Sequence, residues 1–259
     1  MGLLGKVIMI TLQGVSKLYH ENGLTVTALS EINFEVGDQE FVAVVGFTGC
    51  GKTTLLRIVA GLIQPTTGTV YLGNKPIQGP SRRVGLMFQR PVLLPWRTIE
   101  QNLSLPGELT GLPMTENAER IAGLLRTVGL ERYRHTYPRN ISVGMQQIIS
   151  FCVVLVLNPD VLLMDEPFSA LDTLTREYLS VSLLDLWSSY CKTVLFVTHN
   201  INEAVFLSDR VIVLSPQPGR VLKSISIPLP RPRSLKLMET SDFINMTIEV
   251  RRVLELKAG

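Results

Sequence analysis

Apolar and polar positions follow two alternating patterns along this chain. Nearly unbroken apolar runs at residues 41–45, 161–164, 193–197 and 211–214 have the length and composition of strands buried on both sheet faces. Between them, apolar residues recur at helical spacing: over 55–60, stopping at Gly61; from Ser142 onward; and near 173–189. Strands that alternate with helices predict a largely parallel sheet. Ile32, Phe34 and Val36 alternate instead with Asn33 and Glu35, the period of a half-buried antiparallel strand, so the residues before 41 read as edge strands. Residues 65–68, Pro-Thr-Thr-Gly, predict a turn before a short strand at 69–72, and 84–88 predict a strand ending at Gln89.

Residues 96–140 differ. Their helical patterns, including 118–128, are broken by Gly and Pro, and with the helix from Ser142 they predict a helical subdomain, roughly 96–157, inserted into the α/β core. Pro-Leu-Pro-Arg-Pro-Arg at 228–233 reads as a stiff linker. Ser241 is the expected cap of a last amphipathic helix with Phe243, Met246, Val250 and Val253 on one face. The expected organisation is a main domain over 1–236 and a helical tail over 237–259, with no internal repeat.

Chemistry enters at Gly46, Phe47, Thr48, Gly49, Cys50, Gly51, Lys52, Thr53 and Thr54, which fit G-x-x-x-x-G-K-[ST], the phosphate-binding loop. A buried strand precedes the loop and a helix follows, which is the context it needs. Its glycines let backbone approach phosphate, and the helix N-terminus offers free N–H groups and a positive dipole end. Lys52 suits the β- and γ-phosphates, and the Thr53 hydroxyl suits Mg²⁺. Kinases, GTPases and transport ATPases share the loop, so it does not define the reaction. The run at 161–164 ends in Asp165 and Glu166, placing two carboxylates at the C-terminal edge of the sheet, where such folds bind ligands. Asp165 suits Mg²⁺, and Glu166 suits the polarisation of a water attacking the γ-phosphate. His199 follows another strand and suits a hydrogen bond to the γ-phosphate, while the Gln89 amide suits Mg²⁺ or the attacking water.

The whole chain of 259 residues suits one large α/β domain. A net charge of +3 without a long basic run argues against nucleic acid as a partner. Apolar residues make up 46%, enough to expect that some apolar surface meets another protein. The longest nearly apolar stretch, 148–157, is half the ~20 residues a membrane helix needs, and no signal peptide is expected after Lys6. The scattered Cys50, Cys152 and Cys191 lack metal spacing and fit a reduced, cytoplasmic setting.

Together these motifs resemble an ATP-binding cassette (ABC) transporter ATPase subunit over nearly the whole chain. Gly46 to Thr54 resembles the Walker A loop, Gln89 the Q-loop, Met164-Asp165-Glu166-Pro167 the Walker B end, Ser169-Ala170-Leu171-Asp172 the D-loop and His199 the switch histidine. Tyr19 resembles the aromatic that stacks on adenine. The resemblance implies an α/β P-loop fold with a mixed, mostly parallel sheet, an N-terminal antiparallel β subdomain and the helical insertion. It implies ATP and Mg²⁺ as cofactors, and head-to-tail pairing with a second cassette whose signature motif completes each site. It also implies membrane subunits held in a groove formed by the helical subdomain and the Gln89 region, a solute-binding protein acting indirectly, and a peripheral place on the cytoplasmic face of the membrane. A finer resemblance, to importers of nitrate, sulfonates, taurine or bicarbonate, rests on residues 88–96 with Leu94-Pro95-Trp96, on 165–172, and on Pro230-Arg231-Pro232-Arg233.

The chain departs from the family at the signature. Ile141-Ser142-Val143-Gly144-Met145 stands where L-S-G-G-Q or L-S-G-G-M is usual. By resemblance Ser142 and Gly144 face the partner's nucleotide, as does Asp172. Were residue 143 in the left-handed region, its valine would cost about 1–3 kcal/mol of strain. Ile148 and Val153 replace usual arginines, and Asn200 replaces a usual acid. Two readings follow: an active cassette that tolerates the changes, or one member of a heterodimer serving a slow site. A low-turnover regulatory partner and a non-transport ABC ATPase are the further alternatives, the latter usually marked by a coiled-coil insertion or two cassettes in one chain.

Overall fold

The computed structural model describes residues 7–21 and 23–255, so the outermost residues of the expected domain and tail, 1–6 and 256–259, lie outside it. Strands β1 (Ile8–Glu21) and β2 (Leu24–Gly37) form a long antiparallel hairpin. Ile32 and Val36 are buried and Asn33 and Glu35 exposed, as the alternation requires. Strands β3 (Phe41–Val45), β4 (Thr67–Leu72) and β5 (Lys75–Pro76) follow, and β1, β2, β4 and β5 make one antiparallel sheet in the order β2-β1-β4-β5. The turn expected at 65–68 is shorter: Thr67 and Gly68 already belong to β4. Gly68 has φ +80, and a Cβ there would sit 2.3 Å from the Gly14 carbonyl oxygen, so the close crossing of β1 and β4 demands glycine.

The second sheet adds β6 (Val84–Met87), β7 (Val161–Asp165), β8 (Thr193–Thr198), β9 (Arg210–Leu214) and β10 (Val221–Ser226) in the order β10-β9-β3-β8-β7-β6. Neighbours run parallel except β10, which is antiparallel to β9. Strand β10 escapes the sequence pattern because it is an edge strand with Lys223, Ser224 and Ser226 exposed. All residues of β3 and β8 are buried, and alternate ones enter different cores. Phe41, Ala43, Val45, Val194 and Phe196 join one core; Val42, Val44, Leu195 and Val197 join the other.

Helix α1 (Lys52–Val59) covers the face toward the antiparallel sheet. The helical insertion comprises α2 (Ile99–Thr110), α3 (Met114–Thr127) and α4 (Val143–Leu155). A capping box opens α2: the Thr98 hydroxyl accepts from the Gln101 N–H and the Gln101 amide oxygen from the Thr98 N–H. Buried Asn102 then donates to the carbonyls of Leu94, Arg97 and Thr98, fixing the 94–98 loop while Trp96 stays 70% exposed. Helices α5 (Thr173–Tyr190), α6 (Ile201–Leu207) and α7 (Ser241–Glu255) complete the opposite face. In α7, Phe243 and Val250 are buried as expected, but the cap is Thr240, whose hydroxyl accepts from the Phe243 N–H at 3.3 Å. Residues 228–233 are no free linker, because Arg231 and Arg233 are bonded into the body.

Phe41 is fully buried between Trp187 and Phe196, with ring centroids 5.7 and 6.0 Å away. Phe41→Ala is expected to cost about 3–5 kcal/mol of unfolding free energy, measured by denaturant titration; a loss below about 1 kcal/mol contradicts this packing.

Candidate functional site

Parallel register brings the strand ends together. Val45 pairs with Thr198, Asp165 with Val197 and Met87 with Met164, so the segments after β3, β6, β7 and β8 open at one edge. A cleft of about 320 Å³ lies there, lined by Thr48, Gly49, Gly51, Lys52, Thr53, Thr54, Gln89, Asp165 and Glu166. Gly51 takes φ +99 at the N-terminus of α1, and a Cβ on it would lie 2.7 Å from the Ala28 carbonyl oxygen. Gly46 and Cys50 pack so closely that a Cβ on Gly46 would meet the Cys50 sulfur at 2.5 Å. Cys50 is a buried filler, and burial pushes its thiol pKa up, against the pull of Lys52.

Lys52 is buried, with Nζ donating to the carbonyls of Gly46 at 2.9 Å and Phe47 at 3.1 Å, and lies 3.3 Å from Glu166 Oε1. The Thr53 hydroxyl donates to Asp165 Oδ1 at 3.0 Å, which brings together two hard oxygens of the kind Mg²⁺ takes. Glu166 sits at φ +44, a left-handed conformation rare for a non-glycine residue, and its N–H donates to Val197 O. Its other oxygen lies 2.8 Å from His199 Nδ1. The Gln89 amide donates to the Ser169 hydroxyl at 2.9 Å. Tyr19, one-third exposed on β1, has its hydroxyl 3.4 Å from that of Thr54.

The signature residues and Asp172 do not line this cleft. Ser142 caps α4, its hydroxyl accepting from the Met145 N–H, and Asp172 caps α5, accepting from the N–H and hydroxyl of Thr175. The Thr175 bonds hold the Asp172 carboxyl below its ordinary range. A Cβ on Gly144 would meet the Thr175 methyl at 3.0 Å, so both caps share one corner. Val143 is not among the positive-φ residues; it lies in the first turn of α4 and is 54% exposed, so the conditional strain at this position does not arise. Ile148 is buried and Val153 packs against the core, apolar positions rather than the usual charged ones. Asn200 caps α6, its side chain accepting from the Glu203 N–H, a role open to Asn and Asp alike.

Arg176 and Glu203 carry no signal in the sequence beyond an acid among the apolar residues 204–207, yet they pair at 3.2 Å beside the site. Thr198 donates to the second Glu203 oxygen at 2.7 Å. Burial raises the Glu203 pKa, against the Thr198 bond and Arg176.

A glycine loop on a helix N-terminus, a strand-end acid pair and a strand-end histidine within one parallel sheet define a P-loop ATPase cassette. The chain belongs to the ABC transporter family, whose model matches residues 29–169. It is 42% identical to an uncharacterised ABC transporter ATP-binding protein of Methanocaldococcus jannaschii, over 97% of this chain and 94% of that one. It is 38% identical to a taurine import ATP-binding protein of Rhizobium johnstonii, over 90% of each. It is also 38% identical to a nitrate import ATP-binding protein of Synechocystis sp., over 89% of each. A solved ATP-binding cassette, dimeric in a post-hydrolysis state with ADP and Pi, superposes with TM-score 0.73 at 31% identity, covering 86% of this chain and all of that one. The chain is thus an ATP-binding ATPase of the ABC transport class. Among the described residues, no helix is long and apolar enough to cross a membrane.

Burial raises the Asp165 pKa, and the Thr53 bond opposes it. A raised carboxyl pKa means the folded chain holds the proton more readily than the unfolded chain, so the charged form penalises folding above that pKa. Asp165→Asn is expected to raise the melting temperature of the nucleotide-free chain at pH 7. That gain should shrink as the pH falls toward about 4, the unfolded value. A lower melting temperature at pH 7, read by calorimetry, contradicts the burial penalty. Val143→Gly is expected to stabilise nothing and to cost up to about 1 kcal/mol in helix propensity; a stabilised variant in a chemical melt would show strain at this position.

Proposed function

We propose that this subunit hydrolyses Mg·ATP to power import of a small anion such as nitrate, a sulfonate or taurine. The observation that carries the mechanism is Glu166, held between Lys52 and His199 at the cleft. Lys52 and the loop N–H groups bind the β- and γ-phosphates. Thr53, Asp165 and Gln89 hold Mg²⁺, which when bound neutralises phosphate charge. Glu166 accepts the proton of the attacking water, and His199, on the next strand end, meets the γ-phosphate. Tyr19 supplies the face for adenine. Ser142, Gly144 and Asp172, apart from the cleft in one chain, act on the nucleotide of a second cassette, as an identical or a different chain. The domain spans 1–236 and the tail 237–259.

The anion class is supported by the nitrate and taurine relatives, and importer coupling by exposed Phe88, Val92 and Trp96 beside Gln89. In this reading these exposed residues and the helical insertion receive a membrane subunit, the chain lies peripherally on the cytoplasmic face, and a solute-binding protein engages on the far side. Among the described residues, no coiled-coil insertion is present, which disfavours the non-transport reading.

Glu166→Gln is expected to retain ATP binding while turnover falls at least about a hundredfold, read by phosphate release and nucleotide titration; wild-type turnover removes Glu166 from its role. Lys52→Ala is expected to weaken ATP binding itself, and unchanged affinity contradicts the phosphate role of Lys52.

A further inference from the structure

Helix α6 begins two residues after His199, and both of its ends are tied down. At its start, the Asn200 N–H donates to the Thr198 hydroxyl at 3.0 Å, and that hydroxyl donates to Glu203. Glu203 pairs with Arg176, whose guanidinium also donates to the Leu171 carbonyl at 2.8 Å, beside Asp172. The polypeptide around His199 is therefore joined to the 169–172 loop through one buried acid.

The other end of α6 is held by the tail. Arg233, 7% exposed, donates through Nη1 to the carbonyls of Val205, Phe206 and Ser208 at 3.2, 2.8 and 2.9 Å, and through Nη2 to Leu229. Arg231 donates to the Leu207 carbonyl at 2.7 Å and to Asp209, while its guanidinium lies 4.2 Å from the Trp187 ring centroid. Asp209 in turn accepts from the N–H of Phe41, the first residue of β3. The last turn of a helix leaves carbonyls without partners and carries negative dipole charge, so two guanidinium groups there satisfy both needs at once. Burying a guanidinium costs solvation and depresses its pKa to about 10 in Arg233, so this residue is an expensive way merely to tether a tail.

We propose that Arg233 and Arg231 are positioning residues for His199: the tail strap locks the C-terminal end of α6, and α6 carries that restraint to the switch histidine. The inference rests on the role given to His199 above, yet the coupling itself is testable without nucleotide. The chain has three histidines, so each imidazole can be followed separately in ¹⁵N spectra. In Arg233→Met, the His199 ring resonances are expected to move while those of His20 and His135 stay. Lys223→Met, which frees α7 from its ion pair with Glu249 without touching α6, is expected to move none. An unmoved His199 signal in folded Arg233→Met overturns the proposal. Should that variant fail to fold, Arg231→Met is read the same way, and an unmoved His199 there overturns it equally. Turnover is expected to fall about ten- to a hundredfold while ATP affinity changes less than about twofold. A shifted His199 resonance with unaltered turnover would support the coupling while contradicting the role of His199 in hydrolysis.

Discussion

The parallel pairing of β3, β8 and β7 aligns Val45, Thr198 and Asp165 at a single sheet edge, and the site depends on that alignment. A parallel sheet is stable only when both faces are covered. Here α1 and the antiparallel sheet cover one face and the remaining core helices the other. Residues from distant parts of the chain therefore end at the same height, leaving the last residues of the strands and the loops after them to carry the polar groups. Strands β3 and β8 are buried throughout, and the ionisable groups of the site, Lys52, Asp165, Glu166 and His199, come at or after the strand ends.

Within that edge, Glu166 is the crossing point. One oxygen faces the Lys52 ammonium and the other the His199 ring, while its backbone stays bonded to Val197 in a left-handed conformation. A non-glycine residue in that region costs of order 1–3 kcal/mol and persists only where neighbours over-determine it. The neighbours here are a buried cation and an adjacent strand. Lys52 lies 3.3 Å from Glu166 Oε1, so an anion entering the cleft would compete with this carboxylate for the same ammonium.

A second polar layer supports the first. Arg176, Glu203, Thr198 and Asn200 connect the caps of α5 and α6 below His199, and the arginines of the tail close the far end of α6. Helix caps are thus used repeatedly as fastenings: Asp172 and Ser142 at one corner, Asn200 and Arg233 at the two ends of α6. Each satisfies backbone groups that a helix end leaves unpaired.

The local chemistry of the phosphate loop, the strand-end carboxylates and the buried strands was legible in the chain, because glycine spacing and apolar runs report backbone demands and burial directly. The helix expected from Ser142 onward was legible as well, although the structure starts α4 at Val143 and makes Ser142 its cap. The edge strand β10 was not, since its pairing with β9 leaves few apolar residues to mark it. Nor was the effect of Val143, because only the helical backbone there shows that a β-branched residue is unstrained. Pro-Arg-Pro-Arg read as a spacer because proline sets local stiffness, whereas the partners of its arginines lie about two dozen residues upstream. The sequence by itself determined the glycine loop at the end of β3 and which segments are buried, through short-range patterns. Tertiary structure alone decided that Lys52, Glu166 and His199 meet, and that the tail grips α6, because those contacts arise from packing between distant segments.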